Sequence, residues 1–203
     1  MLKNINEHLT NEISSLVGRD SSSFVINSSM LEVHIPAVKL MQVIRFLYDD
    51  AKLCFHQLVD LFGIDYPARS KRFEVVYNLL SIKFNYRVCI KVKVSEEESV
   101  PSLHSIYPNA IWYQREVFDM YGVDFSNSTD NRRILTDYEF EGHPLRKDFP
   151  LTGYKQVRYD FEKRKVVYEP VSLVQEYRNF DFISPWEGTD YKLPGDEKAE
   201  ENK

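Results

Sequence analysis

The chain has 203 residues, 43% hydrophobic and 28% charged, which is long enough for one full core with an appended extension. A formal net charge of −5 argues against a general binder of nucleic acid or anionic membranes, and no apolar run approaches the length of a membrane span. Cys54 and Cys89 lack any paired spacing and read as two reduced, packed thiols, with a disulfide left open.

Leu2, Ile5, Leu9, Ile13 and Leu16 recur at helical steps and predict an amphipathic first helix ending near Gly18. Glu7 and Glu12 within it do not suit a secretory signal or an organellar transit peptide. Phe24-Val25-Ile26 and Met30 to Ile35 read as short strands. Pro36 then suits the first turn of a helix with Leu40, Val43, Ile44 and Leu47 on one face. Phe55 to Ile64 is apolar enough for a third strand. Arg72 to Ser81 and Arg87 to Val94 form the clearest pair, because Val88, Ile90, Val92 and Val94 alternate with Lys91 and Lys93. Glu96 to Glu98 reads as a solvated acidic loop. These elements predict an α+β class: a mixed, mostly antiparallel sheet with flanking helices, followed by a long extended C-terminal segment.

From Ile106 to Tyr121 a helix is predicted, with Ile106, Ala110, Tyr113, Val117, Met120 and Tyr121 on one stripe. Trp112, Arg115 and Asp119 lie opposite, the last two spaced for a charge pair, and Gly122 supplies a left-handed stop. So much apolar circumference implies a helix wedged between its own domain and something else. From Gly122 to Tyr154 no helical or strand period survives, yet the stretch holds Ile134, Leu135, Tyr138, Phe140, Leu145, Phe149 and Leu151. That many apolar groups need a surface to lie on, so the stretch reads as an interaction segment. A small hairpin is expected around Glu162-Lys163-Arg164, then an extended tail to Trp186 rich in aromatics. The resulting division is an α+β domain over 1–122, an extended interaction segment with hairpin over 123–186, and a polar, disordered tail over 187–203.

Redox and nucleotide chemistry leave no mark here. The seven glycines are scattered and assemble no phosphate loop, and two cysteines cannot ligate an iron–sulfur cluster. Five dispersed histidines make a structural zinc improbable, and no serine sits in a nucleophile elbow. One constellation could do chemistry: Asp137, Glu141, His143 and Asp148, beside Arg132, Arg133, Arg146 and Lys147. Either it is a metal or acid–base site, or it is a set of ion pairs that fixes an irregular backbone. Nearly equal numbers of acids and bases favour the second. His143, in Gly142-His143-Pro144, reads as a hydrogen-bonding latch.

WYQREVFDMYGV, RRILTDYEFEGHPLRKDFPLTGY, VRYD and VVYEP resemble the thirty-kilodalton hydrophilic core subunit of respiratory complex I, the proton-translocating NADH:ubiquinone oxidoreductase, in its mitochondrion-encoded form. LVDLFGIDYP, RFEVVYNLLS and FISPW extend the likeness over most of the chain from Phe55 to Trp186, while the first fifty residues add little. Two positions depart from the family: Gln114 replaces a usual glutamate, and Ser128 to Asn131 replaces a His-Pro-Asp-Leu run. The resemblance implies a non-catalytic structural subunit of the peripheral arm, on the matrix side of the mitochondrial inner membrane and close to the quinone-reducing module. It implies one copy per complex, contact with the forty-nine-kilodalton subunit and other peripheral-arm subunits, and no cofactor on this chain, although the complex uses FMN, iron–sulfur clusters, NADH and ubiquinone. An equivalent subunit of a bacterial or plastid-type quinone oxidoreductase or a hydrogenase is the alternative, and a stand-alone metal-dependent enzyme using Asp137, Glu141 and His143 a more distant one. Folding and interface roles carry over to Trp112, Arg115, Glu116, Asp119, Arg132, Arg133, Asp137, Gly142, His143, Pro144, Arg146, Lys147 and Asp148; Glu141 joins them as a neighbour in the charged run. No catalytic role carries over.

Overall fold

A computed structural model of the chain describes residues 2–18, 22–26 and 30–175. By contact the chain divides into two compact units, Met1–Gly153 and Tyr154–Lys203. Residues 123–153, read from the sequence as the start of an extended segment, thus belong to the first unit.

The first unit is built on a five-stranded sheet. Its strands are β1 (Ser23–Ile26), β2 (Leu31–Ile35), β3 (Gln57–Asp65), β4 (Phe73–Ser81) and β5 (Tyr86–Val94), in the spatial order β1-β2-β5-β4-β3. The β1–β2, β5–β4 and β4–β3 pairings are antiparallel, whereas β2 runs parallel to β5. A parallel neighbour requires a long crossover, and the chain between β2 and β5 supplies it. Period-two alternation sends Val75, Tyr77 and Leu79 of β4 and Val88, Ile90 and Val92 of β5 to one face, where all are buried. Helix α1 (Leu2–Val17) adds Leu9 and Ile13 to this core, and α2 (Leu40–Asp49) adds Leu40, Val43, Ile44 and Leu47. Each such side chain contributes roughly 1.5–3 kcal/mol of transfer free energy.

Two helix starts differ from the sequence expectation, both because of proline. Pro36 is extended (ψ 147°) and stands before a short 3₁₀ turn, Ala37–Lys39, that leads into α2. Helix α3 spans Ala110–Tyr121 rather than starting at Ile106, since Pro108 disfavours helical geometry at Tyr107. Residues 103–110 form turns instead, closed by N–H donation from Tyr107 to Leu103 O (2.8 Å) and from Ala110 to Tyr107 O (2.9 Å).

Helix α3 lies directly on β3. A Cβ on Gly63 would stand 2.8 Å from the Tyr121 ring, so the bare backbone there permits the close approach. The β3–β4 register shifts between Leu58 and Asp60, a bulge that frees carbonyls on the edge strand. Asn109 Nδ2 donates to Leu58 O (2.9 Å) and the Tyr113 hydroxyl to Val59 O (3.1 Å), so α3 also blunts that edge. Beyond the helix, β7 (Phe125–Ser126) pairs in parallel with β6 (Val100–Pro101).

The described part of the second unit is the expected hairpin, β8 (Lys155–Asp160) against β9 (Lys165–Pro170). Its register puts Val157 opposite Tyr168 and Tyr159 opposite Val166, an apolar face that is exposed within that unit. The expected extended tail to Trp186, with the FISPW match and the polar stretch 187–203, falls almost wholly outside the described residues.

Candidate interaction surface around the third helix

An α-helix leaves its last four carbonyls without partners in the helix. In α3 those belong to Phe118, Asp119, Met120 and Tyr121, and each finds a donor further along the chain. Gly122 N–H donates to Phe118 O (2.8 Å), and His143 Nδ1 contacts Asp119 O (3.0 Å). Leu145 N–H donates to Met120 O (3.1 Å), and Arg146 Nε to Tyr121 O (2.6 Å). Segment 143–146 therefore caps the helix across 24 to 25 residues of chain, and Arg146 adds positive charge at the negative end of the helix dipole. Gly122 must be glycine twice over. Its φ is +75°, and a Cβ would come within 2.7 Å of Arg146 Nη2 and closer still to His143.

The carboxylate of Asp119 is fully buried and organises the next turn of chain. Oδ2 accepts the N–H groups of Ile134 (3.0 Å), Leu135 (2.8 Å) and Thr136 (2.9 Å). Oδ1 accepts from Arg133 Nη1 (2.8 Å) and from the Thr136 hydroxyl. Burial alone would raise its pKa, but the hydrogen bonds from the Thr136 hydroxyl and the three backbone N–H groups hold it well below the usual carboxylate range. Arg115 is also buried; it donates to Arg132 O (2.8 Å) and Arg133 O (2.9 Å) and stacks by Trp112. The Arg115–Asp119 pair expected from their spacing is thus replaced, because each side chain is spent on segment 130–136. Asp130 draws in the Arg132 side chain (2.6 Å) and backbone N–H (3.0 Å), which defines the loop where the sequence departs from the family run.

A second cluster staples residues 146–148 to the sheet. Arg72 grips Asp65 with Nε (2.7 Å) and Nη2 (2.9 Å), and uses Nη1 to reach Glu96 (2.7 Å) and Asp148 (3.0 Å). Lys147 N–H donates to Asp65 Oδ2 (2.7 Å), and Arg146 lies 3.5 Å from Glu96. Hydrogen bonding to Arg72 holds both Asp65 and Asp148 below the ordinary carboxylate value. The acidic loop Glu96 to Glu98 is solvent-exposed as expected, and two of its carboxylates also make ion pairs: Glu96 joins this cluster, and Glu98 pairs with Lys71 (3.2 Å).

The residues singled out by sequence fall into two groups. Arg115, Asp119, Arg133, His143 and Arg146 form one inward network, with Arg133 also donating to Gly142 O (3.2 Å). Trp112, Glu116, Arg132, Asp137, Glu141, Lys147 and Asp148 are exposed, and Pro144 is half-buried. Gln114 is buried and accepts from the Ser102 hydroxyl (2.7 Å), where a glutamate would bring a charge into the core. Asp137, Glu141 and His143 do not converge on a common point: among the described residues no group of three or more His, Cys, Asp or Glu is placed to hold a metal ion. Sequence reasoning missed Asp65, Arg72, Glu96 and Thr136, whose roles come only from long-range contact. Beside those exposed charges, large apolar side chains also stay exposed: Trp112 (58% exposed), Leu135 (63%), Tyr138 (77%), Leu145 (50%) and Leu151 (78%).

Comparison with known proteins agrees with this architecture. Residues 33–155 match the family described as respiratory-chain NADH dehydrogenase, 30 Kd subunit. The chain is 55% identical over 187 residues to a subunit of the NADH-quinone oxidoreductase of Mesorhizobium japonicum, covering 92% of each chain. It is 53% identical over 199 residues to the same subunit from Parvibaculum lavamentivorans, covering 98% of each, and 58% identical over 172 residues to that from Brucella ovis, covering 85% of each. A chain in the structure of the membrane-bound sulfane sulfur reductase, an archaeal respiratory membrane complex, shares the fold with a TM-score of 0.59 at 24% identity, over 71% of this chain and 85% of that one. The chain belongs to the respiratory-chain NADH dehydrogenase 30 Kd subunit family.

Proposed function

We propose that the chain is a non-catalytic structural subunit in the peripheral arm of an NADH:quinone oxidoreductase, presenting the apolar surface around α3 to the neighbouring forty-nine-kilodalton subunit. One observation carries this reading. Arg115, Asp119, Arg133, His143 and Arg146 are engaged in folding residues 130–148 onto α3, Asp137, Glu141 and His143 do not converge, and large apolar side chains stay exposed around them. Electron transfer through FMN and iron–sulfur clusters to quinone then belongs to other subunits, and this chain binds none of those groups. No described helix is long and apolar enough to cross a membrane, so the chain is held peripherally by its partners.

The relatives reported above are bacterial, which favours the bacterial equivalent over the mitochondrion-encoded form. The motif resemblance supports the mitochondrial form as a second reading, with the chain on the matrix side of the inner membrane; locating the gene distinguishes the two. The functional test is native electrophoresis of mildly solubilised membranes, with mass spectrometry of the band that contains this chain. The expected band carries NADH:quinone activity and the forty-nine-kilodalton subunit. Recovery of the chain alone, with a stoichiometric prosthetic group attached, would overturn the reading.

A further inference from the structure

An open cavity of about 300 Å³ lies over the edge of the sheet formed by β1, β2 and β5. Its polar wall consists of Lys71, Lys91, Lys93, His34, Ser22 and Ser23, with Ile35 and Pro36 as a small apolar ledge. Strand register explains the convergence. The parallel β2–β5 pairing sets His34 opposite Lys91, and Lys93 follows two residues later on the same face. Placing like charges so close costs stability unless something compensates them. Glu32 compensates Lys91, and Glu98 lies 3.2 Å from Lys71. Glu74 stands opposite Lys93 in the β4–β5 register, but its carboxylate pairs with Arg69 (3.4 Å). Lys93 has neither an ion-pair nor a hydrogen-bond partner among the described residues. His34 Nδ1 is enclosed and likewise lacks a hydrogen-bond partner among them. Among the described residues every ionisable group on the wall itself is basic or neutral, with Glu32 and Glu74 beside it, in a chain whose net charge is −5.

We propose that this cavity binds a phosphomonoester group, with Lys93 as its principal cation and Lys71, Lys91, His34 and the two serine hydroxyls completing the shell. A dianion matches several ammonium groups better than a single carboxylate does, and lysine serves phosphate as a point charge on a flexible stem. Among the described residues no aromatic ring lines the cavity, so they offer no platform for a nucleobase. The ligand class is a small phosphate ester, free or as a lipid headgroup. This inference does not depend on the assembly role proposed above.

The test is an NMR titration of the full-length chain with glycerol 3-phosphate, ionic strength being held constant with sodium chloride, and in parallel with phosphatidylcholine vesicles with and without phosphatidic acid. Saturable shifts at His34, Lys91 and Lys93 are expected. Affinity should fall at least tenfold in Lys93→Met and in Lys93→Gln, and stay unchanged in Lys83→Met, which lies past the opposite end of β5. A response to glycerol 3-phosphate identifies a free ester, and a Lys93-dependent response to phosphatidic acid vesicles alone identifies a headgroup. Shifts that grow linearly and match those from chloride, or undiminished affinity in both Lys93 variants, would overturn the proposal.

Discussion

Asp119 Oδ1 lies 2.8 Å from Arg133 Nη1, joining a fully buried carboxylate of α3 to the first turn of an irregular segment fourteen residues on. Because three backbone N–H groups and a hydroxyl share the same carboxylate, its loss strands several donors at once. Asp119→Ala is expected to cost about 3–5 kcal/mol, the range for breaking a buried pair by removing one partner. Asp119→Asn should recover little, since the amide cannot accept on both sides. Chemical denaturation of the three proteins checks this; a loss under about 1 kcal/mol for the alanine variant would mean that water replaces the carboxylate.

How much of this was legible in the sequence depends on the range of the contact. Alternation in Arg87 to Val94 and the helical stripe in α2 sufficed to place the core, because burial of one face is a local pattern. Gly122 announced the helix stop for the same reason. The irregular segment announced only that it needed a surface; that much of this surface is α3 itself follows from Asp119 and the helix carbonyls, which carry no periodic signal. Asp65 meets Lys147 across 82 positions, and Arg72 meets Asp148 across 76. Side chains recruited over such distances look in sequence like any surface acid or base. Arg115 misled for the opposite reason: helical spacing to Asp119 is a weak local preference, and a desolvated backbone carbonyl outcompetes it.

Gly122→Ala tests the capping arrangement. The left-handed backbone alone costs roughly 1–2 kcal/mol for a residue with a Cβ. The added methyl also displaces His143 and Arg146, so the Asp119 and Tyr121 carbonyls lose their side-chain partners. The expected outcome is a lower melting temperature together with new proteolytic cleavage between residues 137 and 148, while the five-stranded sheet remains protected. Cleavage spread equally over the sheet would show that the segment and the core unfold as one.

Acid should weaken the fold in two stages. Burial lowers the pKa of His143 below its ordinary value, against the opposing pull of the Asp119 carbonyl, and burial lowers that of His34 as well. Between about pH 6.5, the usual histidine value, and the lowered folded value, the unfolded chain binds protons that the folded chain refuses. Stability therefore falls as pH falls through that window. Asp65, Asp119 and Asp148 are depressed carboxylates, so their contribution is complete above about pH 4 and drains away as pH drops toward their folded values. Urea midpoints measured from pH 8 to pH 3 should be flat, then decline below about 6.5, then decline more steeply below about 4. His143→Gln should reduce the first decline and spare the second. A midpoint that rises between pH 7 and pH 5 would show that charged His143 is the better-held form.

The outward face offers a prediction in which stability and assembly separate. Tyr138 and Leu151 are exposed, at 77% and 78%, and no described fold contact depends on either side chain's tip. Exposed substitutions away from caps and buried networks usually change stability by less than about 0.5 kcal/mol. An apolar anchor at the centre of an interface costs about 2 kcal/mol or more when removed, roughly a 30-fold loss of affinity. Tyr138→Asp and Leu151→Asp should therefore melt like the parent chain in isolation, yet deplete the assembled complex on native gels, with turnover falling in step with the amount assembled. Glu139→Ala, on the same loop but bearing charge, should assemble as the parent does. Complexes that assemble fully and turn over slowly in the Tyr138 or Leu151 variants would move this face from holding a neighbour to assisting its chemistry.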